Sequence, residues 1–160
     1  MEVNQHRTWA EIDLGAIEHN YRVICEQAQA PVLCVVKADA YGHGAVQVAK
    51  RLEKMDAPYF AVATIPEGVE LREAGIETPI LILGYVDEKD MDTAVQYGIT
   101  VPVYDCETAE LISAAAERTG KPVTVHYKLD TGMTRLGFPS WECEFFRPCR
   151  ISLRAPSCRA

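Results

Sequence analysis

The sequence predicts a parallel α/β fold, an incomplete (β/α)8 TIM barrel of about five βα units. Three observations predict it. Short apolar runs rich in Val and Ile alternate with helix-like segments. Each run is nearly continuous rather than polar at every second residue, as in strands covered on both faces. The strand starts recur at roughly 20 to 28 residues, the period of a βα unit.

The elements follow in order. Residues 8–12 (Thr8-Trp9-Ala10-Glu11-Ile12) alternate like a strand. Asp13 fits an N-cap, and Ile17, Tyr21, Ile24 and Ala28 make the stripe of the helix behind it. Residues 31–37, 59–64, 79–84, 99–104 and 122–129 are the five strands of the repeat. Between the first two, Ala45, Val48, Ala49 and Leu52 recur at i, i+3, i+4, i+7 and form one apolar face. Pro66 fits the first turn of the next helix and Gly75 its stop. Asp87 caps a helix with Met91, Ala94 and Val95 inward and Gly98 at its end. Asp105 opens another that carries Leu111, Ile112 and Ala115 and closes at Gly120. No G-x-G-x-x-G follows the first strand, which weighs against a dinucleotide-binding sheet.

Residues 139–160 break the pattern. They carry a charge of +2 in a chain of −7, hold three of the six cysteines, and are interrupted by Pro139, Pro148 and Pro156. Two regions are therefore expected: a folded 1–138, and an aberrant or disordered 139–160 of the kind a shifted reading frame produces.

Bulk properties exclude several classes. A net charge of −7 argues against a binder of phosphate backbones. No run of eighteen apolar residues is present, so no membrane span is expected. The polar start lacks the apolar core of a secretory signal. The six cysteines show neither a C-x-x-C pair nor zinc-ligand spacing. Reduced thiols, no metal and a cytoplasmic location are the expectation.

Two stretches carry chemistry. In Val35-Val36-Lys37-Ala38-Asp39-Ala40-Tyr41-Gly42-His43-Gly44 an apolar strand delivers Lys37 at its C-terminal end, ahead of a loop with two glycines. Parallel α/β folds build active sites at that end of the strands. A partly desolvated lysine there serves as nucleophile or base, whereas the bland alternative is a lysine snorkelling off the strand end. Tyr41 offers a hydroxyl to an anion, and His43 suits a loop hydrogen bond better than proton transfer. The second stretch runs from His126 through Lys128-Leu129-Asp130-Thr131-Gly132-Met133-Thr134-Arg135 to Gly137, at the end of the fifth strand and so on the same face. Arg135 is a bidentate partner for a carboxylate or phenolate, or else a surface arginine paired with Asp130.

These residues resemble the alanine racemase family. Trp9-Ala10-Glu11-Ile12-Asp13, the Lys37-to-Gly44 signature and the Lys128-to-Gly137 loop match it in the same order, across about residues 7–138. The resemblance implies an isomerase that uses pyridoxal 5'-phosphate (PLP) to interconvert L- and D-alanine and so supplies D-alanine for the cell wall. It implies that Lys37 is the catalytic lysine bonded to PLP and that Tyr41 contacts the phosphate. Arg135 would hold the cofactor's phenolic oxygen and the substrate carboxylate, and Lys128 matches a position that is often a carbamylated lysine. The family works as a homodimer of a barrel plus a C-terminal β domain, and the opposing base is a tyrosine of the partner's β domain. Because 160 residues hold neither that domain nor the last barrel strands, little activity and poor solubility are expected of the chain alone. Tyr104 and Tyr127 do not match the opposing base's motif. Two alternatives are a non-catalytic PLP-binding barrel that carries the cofactor, and another PLP barrel enzyme such as a serine racemase or a decarboxylase of basic amino acids. The Tyr41-Gly42-His43-Gly44 loop favours the alanine enzyme over both.

Overall fold

The computed structural model describes residues 8–139. The expected tail thus falls outside the described residues, apart from Pro139.

Five parallel strands stand side by side in chain order. They are β1 (Cys34–Val35), β2 (Phe60–Val62), β3 (Ile80–Ile82), β4 (Val101–Val103) and β5 (Val125–Tyr127). β1 pairs with β2 in the register Val35↔Ala61, and β2 with β3 in the register Ala61↔Leu81. β4 pairs with β5 in the register Pro102↔His126. β3 and β4 meet through a single bridge, Leu81↔Thr100. Two backbone bonds carry it, Ile82 N to Thr100 O at 3.0 Å and Thr100 N to Ile80 O at 2.8 Å.

The strands are shorter than the apolar runs that encode them. Hydrophobicity marks what is covered, whereas a ladder marks only where two backbones run in register. The residues flanking each strand are covered without being fully paired.

Helices pack on one face of this sheet: α3 (Ala45–Glu53), α4 (Ile65–Glu73), α5 (Met91–Gln96) and α6 (Cys106–Thr119). Phe60, Val62, Ile80, Ile82, Val101 and Val103 point at them and are at most 2 % exposed. Val48, Ala49 and Leu52 of α3 are buried there, as are Met91, Ala94 and Val95 of α5 and Ile112 and Ala115 of α6. The expected caps are in place. Asp105 accepts from the Thr108 amide at 2.7 Å, and Gly120 ends α6 in the left-handed region. Pro66 lies in the first turn of α4, and Gly75, two residues past its end, has φ +88°.

Three expectations need correction. Residues 8–12 are irregular, with Trp9 74 % exposed, because no strand edge among the described residues lies beside them. Helix α1 (Leu14–Ala28) is capped by Asp13 as expected, but none of its residues is fully buried and Ile24 is 51 % exposed. Only Leu14, Ile17 and Tyr21 of α1 pack on the core. Asp87 caps a 3-10 turn (Glu88–Asp90) rather than α5 directly.

The opposite face carries the alternate residues Val35, Ala61, Leu81, Thr100 and His126, placed together by the strand registers. Tyr59 joins them. Its hydroxyl lies 2.7 Å from Thr100 Oγ1, and its ring centroid is 5.5 Å from that of His126. Val35 is 38 % exposed and His126 is exposed, whereas Ala61, Leu81 and Thr100 between them are at most 8 % exposed, so this second face is covered at its middle and open at its two edges.

Candidate active site

Lys37 lies two residues past β1, after Val36, and is half-buried at the C-terminal end of that strand. The segment after it, expected as a loop with two glycines, is more regular than that. It is a helical turn, α2 (Lys37–Gly42), in which Ala38, Asp39, Ala40 and Tyr41 all have φ between +50° and +56°, so it is left-handed. Side chains in this conformation cost about 1–2 kcal/mol per residue relative to the right-handed form. The surroundings hold the turn in place. Ala40 N donates to Val36 O at 2.9 Å and Gly44 N to Asp39 O at 2.9 Å. Asp39 Oδ1 accepts from Ala45 N at 2.6 Å, which fills the first free amide of α3. The turn puts Tyr41 four residues from Lys37 with its ring 62 % exposed. His43 donates from Nδ1 to Ala40 O at 2.8 Å, the loop role expected of it.

The turn is also tied from outside. Ala38 N, the first amide after Lys37, donates to Glu67 Oε1 at 2.8 Å. Sequence reasoning missed both the left-handed turn and Glu67. The missed signal is Glu67 three residues after Thr64, a capping box at the start of α4.

The second group sits at the far end of the sheet. Lys128 is half-buried just past β5, two residues beyond His126 and so on the same face as His126. Its Nζ donates to the Leu83 carbonyl at 3.1 Å and thereby reaches across β4 to the end of β3. Burial, together with the positive charge of Arg135, lowers its pKa below the ordinary lysine value. Arg135 is exposed on the loop between β6 (Leu129–Asp130) and β7 (Phe138–Pro139). Among the described residues no carboxylate pairs with it. The Asp130 carboxylate instead accepts the loop amides of Gly132 and Thr134, both at 2.9 Å, which holds its pKa below the usual aspartate value. The structure thus sets Lys128 and Arg135 close enough to repel, and carries Lys37 and Tyr41 on one turn after the first strand, at the other end of the five-strand order.

The half-buried thiol of β1 is not a second nucleophile. Burial, and to a smaller degree Cys25, pushes the Cys34 thiol up to about 11, far from a reactive thiolate. Among the described residues no cluster of His, Cys, Asp and Glu is placed to hold a metal, and no helix is long and apolar enough to cross a membrane.

The fold and the site define a parallel α/β protein with an amine and a guanidinium displayed at the C-terminal ends of its strands. The family described as alanine racemase, N-terminal domain, matches residues 12–148. The alanine racemase of Methanococcus maripaludis is 47% identical over 135 residues, covering 83% of this chain and 36% of that protein. The alanine racemase of Carboxydothermus hydrogenoformans is 46% identical and covers 81% and 36%. Among solved structures, alanine racemase from Clostridium difficile superposes with a TM-score of 0.81 at 45% identity, over 86% of this chain and 36% of that one. Alanine racemase from Streptomyces lavendulae gives a TM-score of 0.82 at 31% identity, over 90% and 38%. The chain belongs to the alanine racemase N-terminal domain family, a TIM-barrel fold of which it covers a part. It spans about a third of the length of the curated relatives it matches.

Proposed function

We propose that this chain is the cofactor-binding portion of a PLP-dependent alanine racemase, which interconverts L- and D-alanine and works as a cytoplasmic homodimer supplying D-alanine for peptidoglycan. The observation that supports it is the half-buried Lys37 just past the first strand, with Tyr41 on the same left-handed turn and Arg135 on the loop after the fifth strand. The donor set fits the cofactor. Lys37 would supply the amine for its aldehyde, Tyr41 a hydroxyl for its phosphate, and Arg135 a guanidinium for its phenolic oxygen.

When bound, PLP withdraws electrons from the amino acid Cα. The protein's own part is to bind, orient and carry protons. Arg135 grips the alanine carboxylate through paired N–H groups. Lys37 Nζ takes the Cα proton on one face, or returns it there, while the opposing base serves the other face. Lys128, whose amine is already biased toward its neutral form, adds to carbon dioxide to give a carbamate and one released proton. The repulsion of Arg135 then becomes an attraction that fixes the guanidinium. With Tyr41 and Arg135 both exposed, the site does not exclude water, and turnover by this chain alone is small.

The test is to incubate the chain with PLP, reduce with borohydride, digest and map the modified lysine. Label concentrated on Lys37 supports the proposal, and label spread over surface lysines defeats it. Alanine turnover is then followed by chiral chromatography, with serine and lysine as competing substrates.

A further inference from the structure

We propose that Glu67 is a positioning residue for Lys37, fastening the left-handed turn to the start of α4 so that the amine is presented at a fixed place. The proposal rests on the function proposed above, and it concerns only residues of this chain.

The geometry is two-pronged. Glu67 Oε1 accepts from Ala38 N at 2.8 Å, and this contact joins residues 29 apart in sequence. Oε2 accepts from Ala63 N at 2.7 Å and Thr64 N at 3.2 Å, closing the loop between β2 and α4. A capping box needs only the second prong. The first reaches the turn after β1 and ends on the peptide amide that follows Lys37. The turn it holds has four successive non-glycine residues with positive φ, a conformation that persists only when its surroundings impose it.

The side chain is also specific. A carboxylate has two acceptor oxygens and no donor, which suits three N–H groups arriving from two sides. Glutamine supplies one acceptor, and its NH2 would confront an amide hydrogen. Aspartate is one methylene too short to span both loops.

The experiment compares the native chain with Glu67→Gln and Thr64→Ala. Thr64→Ala breaks the other arm of the capping box and leaves the Ala38 contact intact. Each protein is checked by thermal melting, and the rate of borohydride-trapped PLP labelling at Lys37 is measured across pH 6 to about 9. The expected result is labelling about tenfold slower in Glu67→Gln, the scale of one lost charge-assisted hydrogen bond, with Thr64→Ala close to native. Equal labelling rates in native and Glu67→Gln chains would overturn the proposal, as would an equal slowing in Thr64→Ala. Amide exchange at residues 38–44 is the second measurement. If the native chain takes no label at Lys37, the functional proposal fails, and exchange then decides the clamp alone. Faster exchange at Ala38 in Glu67→Gln sustains it, and unchanged exchange refutes it.

Discussion

The Lys128 ammonium donates to the carbonyl of Leu83 at 3.1 Å, so the end of the fifth strand is strapped to the end of the third across the fourth. The strap places a cation in a half-buried position beside a second cation, Arg135.

That placement sets a pH dependence. The folded chain releases the Lys128 proton at a lower pH than the unfolded chain does, near 10.4 for an ordinary lysine. Between those two values the unfolded state binds more protons, so stability rises with pH there. Thermal melts from pH 7 to about 10 should show this rise in the native chain and a flatter profile in Lys128→Met. The same amine should give a carbamate signal by 13C NMR when 13C-bicarbonate is added, absent in Lys128→Met.

Acid should act through a different carboxylate. Burial alone would raise the Glu53 pKa, but hydrogen bonds from the Thr78 amide and hydroxyl and the Glu77 amide, with the Arg72 charge, bring it below the ordinary value. Its contribution is complete above about pH 4.3, the unfolded value, and is lost as pH falls through the lower folded value. Glu53→Gln should cost about 1–2 kcal/mol at pH 7 by urea unfolding, and the difference from native should shrink on acidification toward pH 3.

The Arg135 loop should depend on Asp130. Removing its carboxylate in Asp130→Ala frees the Gly132 and Thr134 amides. Their hydrogen exchange should accelerate selectively, while amides of α6 keep native rates.

Gly137 should tolerate no side chain. Its φ is +134°, and a Cβ there would lie 2.7 Å from Asp130 N and 3.0 Å from Lys128 O. Gly137→Ala should therefore loosen the β6–β7 pair, lowering Tm and raising exchange at Phe138, whose amide donates to Lys128 O at 2.8 Å.

The five strands and the caps at Asp13, Asp105 and Gly120 were legible in the sequence because they are local. A continuous Val/Ile run or a short polar residue before an apolar stripe has one main physical outcome. Residues 8–12 show where this fails, since alternation creates a strand only if an edge is there to receive it. That Lys37 closely follows the first strand was legible from the same run lengths, whereas the β6–β7 pair whose loop carries Arg135 was not. Nor was the left-handed turn. Ala38, Asp39, Ala40 and Tyr41 include no glycine, and their conformation is imposed by partners as distant as Glu67. Lys128 reaching Leu83 was hidden for the same reason, because a bond between residues 45 apart leaves no mark on either neighbourhood.

The narrow joint between β3 and β4 divides the wall into a panel bearing Lys37 and a panel bearing Lys128 and Arg135. Amine and guanidinium thus stand on separate leaves, whose seam is crossed by two backbone bonds at Thr100, by the Tyr59–Thr100 hydroxyl pair, by Arg72 on the Tyr97 and Gly98 carbonyls and by the Lys128 strap to Leu83. Side-chain ties along that line outnumber the backbone bonds, so the separation of the two charged groups is set by side chains more than by sheet pairing.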